Sequence, residues 1–104
     1  GVTVIDQGLV PSVNALAQNF PNPFNPETTI RFDLSEAAQV TLTVYDATGQ
    51  TVRALVDGEH LSAGTFSRVW DGLNQNGQAV GSGVYFYEIR AGSFNSMKKM
   101  TLVR

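Results

Sequence analysis

The chain has 104 residues, the length of one domain, and 42% of them are hydrophobic, which is enough for a single core. Charged residues make up 15% and the net charge is −2. Since the chain has no basic stripe, we do not expect it to bind nucleic acid. Cysteine is absent, which excludes disulfides, thiolate catalysis and cysteine metal sites. No apolar run approaches the ~20 residues that cross a bilayer, so we expect no transmembrane segment.

The first 15 residues differ in composition from the rest of the chain. "VTVID" is compatible with a strand, whereas "QGLVPSVNA" resembles a linker. We therefore predict that residues 1–15 tether the chain to a preceding domain and that the compact domain occupies residues 16–104.

The stretch "QNFPNPFNP" at residues 18–26 combines residues that form turns with residues that form cores. Its prolines fix φ and remove backbone donors, which excludes a helix and a ladder strand. Burial of Phe20 and Phe24 would nevertheless stabilise the fold, because their side chains are large and apolar. We expect the segment to cross the end of the fold, with both phenylalanines plugging the core and the asparagines bonding backbone groups. A direct recognition role is the alternative, since loops also carry function.

Nearly every later segment alternates apolar and polar residues with a period of two, which predicts β-strands. A strand over residues 50–56 has no fixed register, because Val52 and Leu55 differ in parity. Another strand, over residues 65–70, ends in Trp70. The residues predicted to face inward on the remaining strands are Ile30, Phe32 and Leu34; Val40, Leu42 and Val44; Tyr85, Tyr87 and Ile89; Met100 and Leu102.

Turns are predicted at residues 47–49, 58–64, 71–83 and 91–95, where glycine and small polar residues interrupt the alternation. Six or seven short strands with turns every 8–12 residues are typical of an all-β fold. The pattern predicts an antiparallel β-sandwich of about seven strands.

Four stretches together resemble a known family by their order and spacing. They are "LAQNFPNPFNPETTIRFDL", "VTLTVYDATGQTVRAL", "AGTFSRVWDGLNQNGQAVGSGVYFYEI" and "KKMTLVR". They resemble the C-terminal sorting domains of type IX secretion substrates from Bacteroidetes-like bacteria, which are similar to the immunoglobulin-like (Ig-like) domain of flagellar hook-capping proteins. The resemblance covers residues 16–104.

This resemblance implies a non-catalytic Ig-like domain at the end of a larger secreted protein, preceded in the same chain by an N-terminal passenger domain. The implied partner is the secretion and attachment machinery of the outer membrane, and the implied location is the cell surface or the extracellular space. The family often ends in lysine, whereas this chain ends in arginine and keeps the charge. The resemblance assigns recognition to the last strand and tail: Lys98, Lys99, Met100, Leu102 and Arg104. It assigns a structural signature to two motifs: Asn22, Pro23, Phe24, Asn25 and Pro26; Trp70, Asp71 and Gly72.

The residues give no sign of a catalytic site. His60 is the single histidine, and its neighbour Glu59 points away from it on an extended chain. We expect His60 to be an exposed loop residue. No sequence signal pairs any two of the nine acidic residues, so we expect neither an enzyme nor a cofactor.

The stretch "DGLNQNG" at residues 71–77 partly fits a calcium loop. Asn74, Asn76 and Gly77 match the frame, but Gly72 takes its first position and Asp71 lies one residue out of register. Since no acid follows downstream, we favour a turn with Asn76-Gly77 at its corner. Weak metal binding by residues 71–78 stays open.

The aromatic residues leave a second function open, that of a carbohydrate-binding module of a secreted glycoside hydrolase. An exposed, coplanar aromatic pair would favour it, whereas we expect Trp70, Tyr85 and Tyr87 in the core. Phe86 shares the opposite face with Glu88 and is the candidate for exposure. A third possibility is a structural spacer or a subunit-assembly domain.

Overall fold

The computed structural model describes residues 10–104 and consists of seven strands in two antiparallel sheets. The strands are β1 (Ala15–Leu16), β2 (Thr28–Leu34), β3 (Ala38–Asp46), β4 (Thr51–Leu61), β5 (Gly64–Trp70), β6 (Gly83–Ala91) and β7 (Phe94–Leu102). One sheet has the strand order β1-β2-β5 and the other the order β4-β3-β6-β7. The predicted all-β sandwich of about seven strands is confirmed.

The core lies between the two sheets and follows the predicted alternation. Every residue predicted to face inward on β2, β3, β6 and β7 is buried, and Trp70 at the end of β5 has no exposed surface. Each large apolar side chain buried in this way stabilises the fold by about 1.5–3 kcal/mol relative to exposure.

Strand β4 is longer and less regular than predicted. It continues to Leu61, so the loop predicted at residues 58–64 is wrong. In its pairing with β3, the residues Val52, Leu55 and Gly58 are skipped, which makes three bulges. Each bulge inserts an extra residue and shifts the side-chain alternation. The parity conflict between Val52 and Leu55 is a consequence of these bulges.

Two of the predicted turns, at residues 47–49 and 91–95, are present in the structure. At residues 47–49, the Gly49 N–H donates to the carbonyl oxygen of Asp46 over 3.0 Å, and Gly49 adopts a φ of 90°, as a turn glycine can. The turn predicted at residues 91–95 is shorter, because β6 runs to Ala91 and β7 begins at Phe94. Tight hairpins thus join β3 to β4 and β6 to β7 in the four-stranded sheet.

The residue that precedes β1 contacts the sandwich. β1 begins at Ala15, and the side-chain oxygen of Asn14 accepts a hydrogen bond from the Ser35 N–H over 2.8 Å. Most of the predicted tether, residues 1–9, lies outside the described residues, and the tether stays a prediction. Within residues 10–104 there is no helix long and apolar enough to cross a membrane.

Candidate recognition surface along the last strand

The proline-asparagine segment, residues 18–26, runs from the edge of β2 to the end of β7. The Phe24 N–H donates to the Thr101 carbonyl oxygen over 3.0 Å, and the Val103 N–H donates to the Phe24 carbonyl oxygen over 2.9 Å. These bonds place Phe24 beside Leu102 in a parallel bridge. The Phe24 side chain is 3% exposed and plugs the core as predicted.

The prediction that Phe20 also plugs the core is wrong. Its side chain is 79% exposed. The Phe20 and Thr29 backbones exchange two hydrogen bonds of 3.0 and 2.9 Å, which makes them an antiparallel pair. Paired residues project to the same face, and Thr29 lies on the outer face of β2, between the buried Thr28 and Ile30. Phe20 therefore points to solvent.

Asparagine side chains satisfy backbone groups that no strand reaches, as predicted. The Asn19 amide donates to Pro21 O over 3.2 Å and to Thr28 Oγ1 over 2.9 Å, and Asn19 is 2% exposed. The side-chain oxygen of Asn22 accepts a hydrogen bond from the Thr101 N–H over 3.0 Å. The segment is thus held without a continuous ladder.

The hydroxyl of Tyr87 joins this segment to the core. It donates to the Ala17 carbonyl oxygen over 2.8 Å and accepts from the Asn19 N–H over 2.7 Å. Burial raises the pKa of Tyr87 to about 12, while the hydrogen bond from Asn19 lowers it by less. The neutral hydroxyl therefore holds two backbone groups in place at any physiological pH.

The second signature motif, Trp70-Asp71-Gly72, meets the first in space. The indole of Trp70 lies between Phe24 and Tyr85, with ring centroids 5.7 and 5.2 Å away. Gly72 has a φ of 78°, and a Cβ added there would lie 3.1 Å from the Pro26 carbonyl oxygen. Glycine is needed at this position because of both the backbone angle and the close approach.

Asp71 completes the turn of the second motif. Its Oδ1 accepts hydrogen bonds from the Leu73 N–H over 3.1 Å and from the Arg53 guanidinium over 3.2 Å. The Trp70 Nε1–H donates to the Leu73 carbonyl oxygen over 2.9 Å. Of the first motif, Asn22, Pro23, Asn25 and Pro26 are exposed. The two motifs therefore form a corner where Phe24 packs on Trp70 and Pro26 approaches Gly72.

Arg104 binds back onto this corner. Its Nε donates to Val80 O over 2.6 Å, its Nη2 donates to Gly72 O over 3.0 Å, and its backbone N–H donates to Ser82 Oγ over 2.8 Å. The guanidinium thus bonds carbonyl groups of the domain itself and holds the end of β7 against the turn at residues 71–83.

The remaining predicted recognition residues occupy two environments. Met100 and Leu102 are buried in the core, at 0% and 1% exposure. Lys98 is half-buried and Lys99 is exposed, next to each other on the edge strand β7. Of these four residues, only the two lysines have side chains that solvent reaches.

A family comparison agrees with this architecture. The model of the FlgD Ig-like domain matches residues 21–93, which is more than half of the chain. The chain belongs to the FlgD Ig-like domain family. The predicted Ig-like fold is confirmed, and such an FlgD-type domain is a non-catalytic fold. No curated protein sequence matches the chain.

Solved structures from two kinds of bacterial protein share the fold of this FlgD Ig-like domain. Dimeric latent PorU from Porphyromonas gingivalis has 22% identity and a TM-score of 0.66, over 92% of this chain and 10% of PorU. PorZ from the same organism, described as an essential bacterial surface component of the type-IX secretion system, has 20% identity and a TM-score of 0.58, over 88% of this chain and 11% of PorZ. FlgD from Xanthomonas campestris, described in the context of hook capping, has 24% identity and a TM-score of 0.55, over 89% of this chain and 64% of that FlgD. The chain thus spans about a tenth of PorU and PorZ.

The outer face of the four-stranded sheet of this FlgD Ig-like domain carries a shallow depression of about 330 Å³ between Tyr45, Phe86 and Met97. Glu88 lies beside it at 9% exposure, accepts a hydrogen bond from the Tyr45 hydroxyl over 3.1 Å and pairs with Arg90 over 3.4 Å. Burial, together with this hydrogen bond, raises the pKa of Tyr45. Phe86 is half-buried rather than fully exposed.

The aromatic residues considered for carbohydrate binding lie mostly inside. Trp70, Tyr85 and Tyr87 are buried, as predicted for core residues. Tyr45 and Phe86 are cross-strand partners on the outer face, and both are half-buried. The burial of three of these aromatics counts against a carbohydrate-binding platform.

The candidate metal loop is a turn in this FlgD Ig-like domain. Asn74 Oδ1 accepts hydrogen bonds from the N–H groups of Asn76 and Gln78, over 2.9 and 3.0 Å, and the Gly77 N–H donates to Asn74 O over 3.0 Å. Across residues 10–104, no three histidine or acidic side chains gather as metal ligands. His60 is exposed as predicted, but it lies on β4 rather than in a loop.

Proposed function

We propose that this FlgD-type Ig-like domain directs type IX secretion and cell-surface attachment of a larger secreted protein, without chemistry of its own. The observation that supports this proposal most is the fold likeness to PorZ, a surface component of that system, over 88% of the chain. The four sequence stretches that resemble sorting domains support it independently. A passenger domain would precede the tether at residues 1–15.

In this proposal the outer-membrane machinery recognises the folded sandwich through β7. Lys98 and Lys99 supply one positive charge on each face of an edge strand, where a partner can approach both side chains and backbone. Met100 and Leu102 contribute by holding β7 in the core, and Arg104 by fixing the end of the strand. Recognition and stability therefore depend on the same strand through different residues.

A reporter fused ahead of residues 1–104, expressed in a host with type IX secretion, tests the proposal. We expect export of the intact fusion and periplasmic retention of the double variant Lys98→Gln, Lys99→Gln. The matched control is Arg31→Gln, Arg68→Gln, which removes two positive charges from the three-stranded sheet. It should be exported like the intact fusion.

Folding of each variant is checked by circular dichroism, so that retention is not mistaken for misfolding. Failure of the intact fusion to leave the periplasm would overturn the sorting proposal. Export of the lysine variant at the level of the control would leave the sorting proposal in place, but it would show that sorting does not depend on Lys98 and Lys99.

A second candidate, subunit assembly, is favoured by the fold likeness to the hook-capping protein FlgD over 89% of the chain. This function predicts self-association of the isolated domain, whereas sorting does not require it. Sedimentation equilibrium over a wide concentration range separates the two, because an assembly domain shows a mass that rises with concentration.

A further inference from the structure

The hydrogen bonds of β7 show which of its residues direct their N–H and carbonyl groups away from β6, toward the free edge of the sheet. Outward hydrogen bonds use the Thr101 N–H, the Thr101 carbonyl and the Lys99 carbonyl. In an antiparallel strand, every second residue directs both its N–H and its carbonyl to the same edge. The pairing of β7 with β6 is regular from Phe94 to Leu102, so the backbone groups of Met97 and Asn95 also point outward.

The chain itself covers only part of this edge. The Gln18 side chain donates to the Lys99 carbonyl oxygen over 2.8 Å, and Asn22 and Phe24 bond Thr101 and Val103. Among the residues that the structure describes, no hydrogen bond reaches the outward groups of Met97. The outward backbone groups from the Lys99 carbonyl onward are thus hydrogen-bonded within the domain. Those from Asn95 to the Lys99 N–H have no partner among the described residues and form the open part of the edge.

The open part presents features that suit one kind of ligand. It is five residues long, a common strand length, and its outward amides and carbonyls fit an extended backbone. Met97 is 52% exposed on the outer face and shares this face with Lys99, while Lys98 points to the opposite face of the sheet. β7 contains two lysines and no acidic residue, so acidic side chains complement it.

We propose that the β7 edge from Asn95 to Lys99 binds an extended, acidic segment of a partner protein as an added strand. This inference rests on the proposed function, since it specifies how the secretion machinery would contact the domain. The Gln18 side chain ends the available edge at Lys99 and so sets the register of the incoming strand. A second copy of the chain is a poorer occupant, because its own β7 brings the same two positive charges.

Synthetic peptides of alternating glutamate and valine test strand addition directly. We expect the isolated domain to bind this peptide and to bind a lysine-valine peptide at least about tenfold more weakly. The decisive control is the glutamate-valine peptide methylated at every backbone amide, which keeps the charge and removes the donors of both edges. Equal binding of the methylated peptide would overturn the proposal.

Amide hydrogen exchange locates the contact in the unmodified domain. Bound peptide should slow exchange at the outward Met97 and Lys99 amides. The Thr101 amide, already bonded to Asn22, should exchange at an unchanged rate. Slowed exchange elsewhere, without any change at Met97, would overturn the proposed site. Dimerisation of the domain through β7 in place of peptide binding would overturn the choice of occupant.

Two variants at one position separate the backbone from the side chain. Met97→Pro removes an outward donor on an edge strand, where proline is tolerated, and we expect about tenfold weaker peptide binding. Met97→Ala keeps the donor and should bind within about threefold of the unmodified domain. Equal binding by both variants would overturn the proposal, provided that circular dichroism shows both to be folded.

The export assay distinguishes this inference from the proposed function. Normal export of a folded Met97→Pro fusion, together with export of the intact fusion, would leave sorting in place and overturn strand addition. Failure of the intact fusion would overturn sorting, whereas the peptide and exchange results would still decide strand addition.

Discussion

The ring of Phe24 lies 5.7 Å from the indole of Trp70, centroid to centroid, with the two planes tilted by 59°. Aromatic pairs at such a centroid distance, when they are not stacked face to face, stabilise a fold beyond the area that they bury. The contact fastens the proline-asparagine segment to the end of β5. It explains how a segment without regular structure closes one end of the sandwich.

The two phenylalanines of this segment should therefore differ sharply in their effect on stability. We expect Phe24→Ala to lower the free energy of unfolding by about 3–5 kcal/mol, because it leaves a cavity beside Trp70. Phe20→Ala removes an exposed ring and should change it by less than about 0.5 kcal/mol. Urea denaturation measures both. Similar losses for the two variants would contradict the placement of Phe20.

Substitution of two turn glycines by alanine should distinguish the cost of backbone strain from the cost of overpacking. Gly72 and Gly77 have similar φ values of 78° and 80°, but an added Cβ meets Pro26 and Arg104 only at Gly72. We expect Gly77→Ala to cost about 1–2 kcal/mol through the backbone angle alone. Gly72→Ala should cost at least about 1 kcal/mol more, through overpacking.

The same denaturation experiment measures this difference. Equal losses for the two glycine variants would mean that the corner formed by Pro26, Gly72 and Arg104 adapts without cost.

Arg104 should act on stability rather than on recognition. Arg104→Ala removes the hydrogen bonds to the carbonyl oxygens of Val80 and Gly72 and should cost about 1–2 kcal/mol in unfolding free energy. Lys99→Ala, on the same end of the chain, should change it by less than about 0.5 kcal/mol. Thermal denaturation of both variants checks this. A larger loss for the lysine variant would reverse the two roles.

Stability should fall in alkaline solution because of Tyr87. Its pKa is raised by burial to about 12 in the folded domain, whereas a tyrosine in an unfolded chain titrates near pH ~10. The folded state therefore holds the proton more tightly. This contribution is fully present below pH ~10 and is lost as the pH rises towards about 12. Denaturation at a series of alkaline pH values measures the slope.

The matching variant is Tyr87→Phe. It leaves the Asn19 N–H and the Ala17 carbonyl without their partner and lowers stability at every pH. Its stability should nevertheless fall less steeply between pH ~10 and ~12 than that of the unmodified domain. Identical slopes would contradict the assignment to Tyr87. Tyr45 and Tyr85, whose pKa values burial also raises, contribute in the same direction in both proteins.

Local chemistry was enough to predict which face of most strands is buried. Residues such as Ile30 and Val40 lie on strands whose alternation is uninterrupted, so parity alone determines their direction. On β4, bulges at Val52, Leu55 and Gly58 reset the alternation, and the pairing with β3 that creates them is not visible in a single segment. The strand was therefore predicted without a register.

The candidate site depended on contacts between distant segments, which the sequence does not report. Phe20 and Phe24 lie in the same kind of local sequence, but one pairs with Thr29 and the other with Leu102. The meeting of Pro26 with Gly72 is of the same kind. The recognition role of the β7 lysines is a prediction from the family resemblance. That β7 is an edge strand with unpaired backbone groups follows only from the strand order of the sheet.

The hydrogen bonds between the segment at residues 18–24 and the end of β7 join chain regions that lie 79 and 81 residues apart in the sequence. A nascent domain on the ribosome cannot form them until β7 has emerged, since β7 must be present to bond Gln18, Asn22 and Phe24. Contacts of such long sequence separation also form late in folding, because closing the loop between them costs entropy. A polypeptide interrupted before β7 therefore lacks both the closed end of the sandwich and the edge strand, so the early segment stays without its partner until β7 has been made.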